Sequence, residues 1–139
     1  NIMAAIGICQ LDRFEYLSSR RQILAAYYKS KLQDLSGATL LESDFSCDVP
    51  HIFPILLKEA NVRELVRNHL LSCGIETGIH YKPNHHLSFY SKPHGSYDLT
   101  VTEDIYDKLL TLPLHPDLSE TDIDFVVLSL KSCLDNMSQ

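Results

Sequence analysis

The chain has 139 residues, of which 45% are hydrophobic and 22% charged, with a formal net charge of −6. That length suits one domain with its own core, and acidic residues scattered along the chain set nucleic acid aside as a partner. No stretch approaches the ~20 uninterrupted apolar residues of a membrane span, and no basic, apolar and cleavable leader opens the chain, so a cytoplasmic protein without a membrane partner is expected.

Asn1-Ile2-Met3-Ala4-Ala5-Ile6 is apolar and helix-like from its first residue, which reads as a cut end. Phe14, Leu17, Leu24, Tyr28, Leu32 and Leu35 recur at helical steps with no proline before Pro50, so one long helix is expected to about Leu35, with Gly37 as its stop. After a polar loop, His51 to Leu57 is a short β-rich run. Pro54 cannot donate to a ladder, so this run is read as an edge strand or a bulge.

Asn61-x-x-Glu64 has capping-box spacing ahead of a helix carrying Val62, Leu65, Val66, Leu70 and Cys73, with Gly74 placed for a left-handed C-terminal turn. Residues 75–81 alternate with period two, which predicts a strand ending at Pro83 with Glu76 and His80 opposite Ile75, Thr77 and Ile79. Residues 83–99 have loop composition, with room for a short helix near His86 to Tyr90. Thr100-x-x-Glu103 predicts a helix through Leu110, and residues 111–116 are extended ahead of their prolines. Ser119 caps a final helix whose buried stripe is Ile123, Val126, Val127, Leu130 and Leu134. The fold class is therefore α+β: a long N-terminal helix, about three short strands covered by helices, and a C-terminal helix, all in one domain over 1–139.

Cys9, Cys47, Cys73 and Cys133 are 38, 26 and 60 residues apart, which leaves no CxxC pair for zinc or redox chemistry and favours free thiols. Cys47 and His51 suggest a thiolate and its base, but four residues apart and ahead of an edge strand they are read as coincidence. His80, His85 and His86 fit no zinc motif, so no metal site is assigned. Histidine and tyrosine at a strand end instead suit hydrogen bonding to hydroxyls or phosphates.

Three stretches together carry a family likeness: Asn1-Ile2-Met3-Ala4-Ala5-Ile6-Gly7-Ile8-Cys9-Gln10-Leu11-Asp12-Arg13, then Gly74-Ile75-Glu76-Thr77-Gly78-Ile79-His80-Tyr81-Lys82-Pro83-Asn84-His85, then Leu112-Pro113-Leu114-His115-Pro116. In this order and spacing the chain resembles the C-terminal small domain of the DegT/DnrJ/StrS sugar aminotransferases. The resemblance implies a homodimeric parent enzyme whose large domain binds pyridoxal phosphate through a lysine and moves an amino group onto a nucleotide-linked keto-sugar. It also implies that the small domain contributes one wall of the sugar site, and from their place at the strand end and the loop after it His80, Tyr81, Lys82 and His85 are expected to line that wall.

No catalytic or cofactor-binding residue is assigned to this chain. None of Lys29, Lys31, Lys58, Lys82, Lys92, Lys108 or Lys131 has the family's setting ahead of a Gly-Glu-Gly-Gly-like turn. The large cofactor domain is therefore expected to lie elsewhere, the chain alone is expected to be inactive, and Ile2, Met3 and Ile6 are expected to leave an apolar face that self-associates. The alternatives are an independent small-molecule-binding α+β module and a hydrolase using the histidines.

Overall fold

The computed structural model describes residues 1–90 and 98–137. Among these, five helices and three strands follow in the order α1 (Ile2–Asp12), α2 (Phe14–Leu32), β1 (Ala38–Leu40), β2 (Phe53–Leu57), α3 (Arg63–Ser72), α4 (Thr100–Lys108), β3 (Leu109–Leu112) and α5 (Glu120–Met137). The strands form one antiparallel sheet in the order β1-β2-β3, with Ala38 opposite Leu57 and Phe53 opposite Leu112. This is the α+β class expected, with a three-stranded sheet.

The strands are not all the ones expected. β2 is central rather than an edge, and the reason lies in the direction of one missing N–H. The Lys58 amide donates to the Gly37 carbonyl at 2.9 Å, so the even-numbered residues of this segment aim their amides toward β1. β1 ends at Leu40, opposite Ile55, so Pro54 stands where no partner strand remains to be bonded. β1 itself is three residues long and has no sequence signature. Residues 75–81 form no strand: Gly78 makes a single two-bond bridge to Thr111, at 2.9 and 2.8 Å.

Helix boundaries shift for equally local reasons. The first helix breaks at Arg13, and α2 stops at Leu32 rather than Leu35. α4 ends at Lys108 because Leu109 and Leu110 enter the sheet. A 3-10 turn occupies Asn84–His86, and only turns follow it to Tyr90. Neither capping box before α3 or α4 is used. A 3-10 turn at Ala60–Val62 leads into α3, and before α4 the Asp98 carboxylate accepts the Thr100 amide at 3.1 Å while the Glu103 amide goes to the Leu99 carbonyl instead of the Thr100 hydroxyl.

Two ends match the sequence reading. Gly74, at φ 77°, closes α3: its amide reaches the Leu71 carbonyl and that of Ile75 reaches Leu70, both at 2.9 Å, the bonding of a Schellman turn. α5 opens on a reciprocal cap, the Asp122 amide donating to Ser119 Oγ at 3.2 Å and the Ser119 amide to Asp122 Oδ2 at 2.8 Å. The Ser119 hydroxyl, donating to Oδ2 at 2.6 Å, and then the Ser119 amide hold the Asp122 carboxyl below its ordinary range. Ser119→Ala is expected to lower stability by about 1 kcal/mol in urea denaturation, and Ser119→Asp to retain most of it.

The core lies between the sheet and α2, α3 and α5. Phe53, Ile55 and Leu57 of β2 face it, with Leu110 and Leu112 of β3 on the same side. Leu24, Tyr28 and Leu32 come from α2, Val66 and Leu70 from α3, and the expected stripe from α5 with Cys133 added. The Tyr28 ring stacks on Phe53 with centroids 4.8 Å apart, and its burial pushes the phenol pKa up. α1 contributes nothing to this core; none of its residues is buried.

Candidate functional site

The segment from Gly74 to His86 runs from the end of α3, across β3, to the 3-10 turn. Ile75 is buried and anchors its start, and the Gly78–Thr111 bridge pins its middle to the sheet. At Gly78 the His80 ring folds back over the backbone so closely that a Cβ would lie 2.3 Å from His80 Cε1. This explains the glycine: its conformation is ordinary, but the space is occupied. His80 is thus half-buried rather than turned out on a strand face, and its Nδ1 is buried with no hydrogen-bond partner among the described residues.

Tyr81 packs edge-on against His80, with centroids 5.0 Å apart, and its hydroxyl lies 3.2 Å from His51 Nε2. Arg21 on α2 fixes the backbone beneath, donating to the carbonyls of His51 and Leu114 at 3.1 Å each. Tyr81 remains 65% exposed and His51 is exposed beside it, with the half-buried His80 ring behind them. Sequence reasoning considered His51 only as a base for Cys47. Its Nε2 instead meets Tyr81, and Cys47 Sγ lies 3.6 Å from Ser46 Oγ. Beside His51 is a cavity of about 220 Å³ lined by Lys29, Leu40, Phe45, Pro50, Phe53 and Pro54 among others.

Lys82 is exposed, and Pro83 after it is buried. His85 turns away from Tyr81 toward α4, where its Nε2 bonds Glu103 Oε1; His86 Nε2 reaches the same oxygen at 2.8 Å. The two imidazoles meet edge to face at 4.6 Å, and His86 rests edge-on against Tyr106 at 5.4 Å. The structure therefore separates the expected site residues by partner: His80 and Tyr81 with His51, and His85 with His86 and Glu103. Glu103 was missed because the capping-box spacing offered it another use. Its only helix-end role is as an amide donor to Leu99 at 3.0 Å.

Hydrogen bonds from His85 and then His86 hold the Glu103 carboxyl below the usual glutamate range. A carboxyl depressed in the folded state stabilises above its unfolded pKa and loses that contribution as pH falls through the folded value. Wild type is accordingly expected to melt above Glu103→Gln at neutral pH, with the gap closing in acid below the ordinary glutamate range. A pH series of melting curves checks this.

The DegT/DnrJ/EryC1/StrS aminotransferase family model matches residues 1–131. The fold is similar to that of PseC from Helicobacter pylori, an aminotransferase involved in pseudoaminic acid biosynthesis (25% identity, TM-score 0.87, 97% of this chain and 37% of that one). It is likewise similar to the aminotransferase TlmJ from Streptoalloteichus hindustanus (27% identity, TM-score 0.82, 96% and 36%). A third similar structure is the PLP form of Spr1654 from Streptococcus pneumoniae, assigned as a sugar aminotransferase (27% identity, TM-score 0.85, 97% and 36%). The chain spans about a third of the length of each. With the three sequence stretches, the sheet, α1 to α4 and most of α5 falling inside that match, the chain belongs to the DegT/DnrJ/EryC1/StrS aminotransferase family.

Proposed function

We propose that this chain is the C-terminal small domain, over 1–139, of a cytoplasmic, homodimeric, pyridoxal-phosphate-dependent aminotransferase acting on a nucleotide-linked keto-sugar. The family match over residues 1–131 carries the reading. Four free cysteines suit a reducing compartment, and no helix among the described residues is long and apolar enough to cross a membrane.

The residues present do not fit the cofactor itself. A Schiff-base lysine needs a free amine in an enclosed site. Lys29 is bonded to the Ser43 carbonyl at 2.9 Å, Lys31 to Asp124 at 2.8 Å and Lys108 to Asp104 at 2.5 Å. Lys58 and Lys82 are exposed at the surface, Lys131 is partly exposed on α5, and Lys92 lies outside the described residues. In this reading the cofactor, and the electron sink it supplies, belongs to a large domain of the same polypeptide.

What this chain supplies is a wall. His80 and Tyr81 present an imidazole and a phenol that donate or accept hydrogen bonds without a permanent charge, which suits sugar hydroxyls. Lys82 adds a cation suited to a pyrophosphate. His85, drawn to Glu103, holds the base of that wall by fixing the turn after Pro83. The test is the coding sequence ahead of Asn1. A lysine before a Gly-Glu-Gly-Gly-like turn, in a polypeptide that aminates a nucleotide keto-sugar, upholds the reading. A start site at Asn1 favours the independent module instead.

α1 bears on the missing contacts. Ile2 is 80% exposed, Met3 73% and Leu11 74%, and the helix is apolar all round. Such a surface belongs against a large domain or a second subunit. The isolated chain is expected to self-associate through it in sedimentation experiments, and Ile2→Lys with Ile6→Lys to restore a monomer.

A further inference from the structure

We propose that His85, His86 and Glu103 form a binding site for a divalent d-block cation of the zinc type. The sequence puts three histidines near one another, but the structure selects a different trio. His80 is held over Gly78, and Glu103 enters from α4, 17 residues after His86. One ligand atom from each of His85, His86 and Glu103 lies within 4.8 Å of the others.

The donor set is two imidazole nitrogens and one carboxylate oxygen, a combination that selects zinc-like ions over magnesium or calcium. Bonds of about 2.0–2.1 Å in a tetrahedron place ligand atoms about 3.3 Å apart. His86 Nε2 and Glu103 Oε1, now at 2.8 Å, would need to part by roughly half an ångström, within reach of side-chain rotation. Each neutral imidazole would move its proton from Nε2 to Nδ1, leaving Nε2 to bind the metal.

The scaffold is built for this convergence. Two consecutive histidines aim Nε2 at one point only because a 3-10 turn carries them, closed by bonds from His86 to Pro83 and from Leu87 to Asn84, each 3.0 Å. Pro83 is buried and anchors the turn, and Tyr106 backs the His86 ring. The three side chains are 31%, 30% and 42% exposed, so an ion has a solvent approach and an open coordination position. A bound ion would clip the turn after Pro83 to α4.

Zinc titration of the 139-residue chain by calorimetry, with magnesium in parallel, tests the site. The expected result is one zinc per chain in the low micromolar range, no magnesium binding, and a melting temperature raised by zinc and returned by a chelator. His86→Ala and Glu103→Gln, each confirmed folded by circular dichroism, should each weaken zinc at least about ten-fold, the loss that even an outer partner of a metal ligand brings. A Cys9→Ser, Cys47→Ser chain should bind as wild type. Absence of zinc binding at sub-millimolar concentration overturns the proposal. So does binding that survives both ligand substitutions, or binding lost with the two thiols.

Discussion

Leu130→Ala is expected to remove about 2–5 kcal/mol of stability, the cost of emptying a leucine-sized volume in a close-packed interior. Leu130 is fully buried in the middle of α5, the helix that packs against both α2 and α3. Two residues away on the same helix, Leu128 is 66% exposed, so Leu128→Ala should change stability by no more than about 0.5 kcal/mol. Urea unfolding of the pair reads the contrast. Similar losses at both positions would mean that α5 is not seated as described. A domain of this size holds only about 5–15 kcal/mol in total, so the larger loss is a substantial part of its margin.

The second large effect concerns sugar kinetics in the parent enzyme proposed above. His80→Ala is expected to raise KM for the keto-sugar by the equivalent of roughly 1–3 kcal/mol, with the cofactor's absorbance unchanged. Gly78 gives an independent route to the same outcome. A methyl there would lie 2.3 Å from His80 Cε1, and since Gly78 needs no left-handed backbone, Gly78→Ala should displace the ring without breaking the fold. Both variants should therefore move sugar kinetics together. A lower melting temperature with unaltered sugar KM in either variant would make His80 a packing residue and end the substrate-wall reading.

Features decided within a few residues were legible in the sequence. Gly74 ends α3 and Ser119 with Asp122 opens α5 as expected, because each motif finds its partners inside one helical turn. Features decided across the chain were not. The alternation of residues 75–81 was real at Ile75 and Glu76, but His80 folds over Gly78 instead of standing opposite Ile79, and the ladder shrinks to one bridge. Glu103 had two readings, a local one as a cap and a distant one with His85 and His86, and spacing alone favours the local one. His51 likewise became informative only when Tyr81, 30 residues on, arrived at its ring. The contacts of His51 with Tyr81 and of Glu103 with His85 and His86 join residues 17 to 30 positions apart, a separation that local spacing does not encode.

Pro54 also acts as a ruler for the sheet. With Leu40 opposite Ile55, the next residue to join would be Leu41 opposite Pro54, and that rung lacks its donor. The chain must therefore peel away at Leu41, and the loop it forms before returning at Phe53 roofs the hollow bounded by Leu40, Phe45, His51 and Pro54. A valine at 54 would let the strand zip one rung further and draw that roof down. One absent hydrogen thus sets where the sheet stops and leaves an opening next to the imidazole that meets Tyr81.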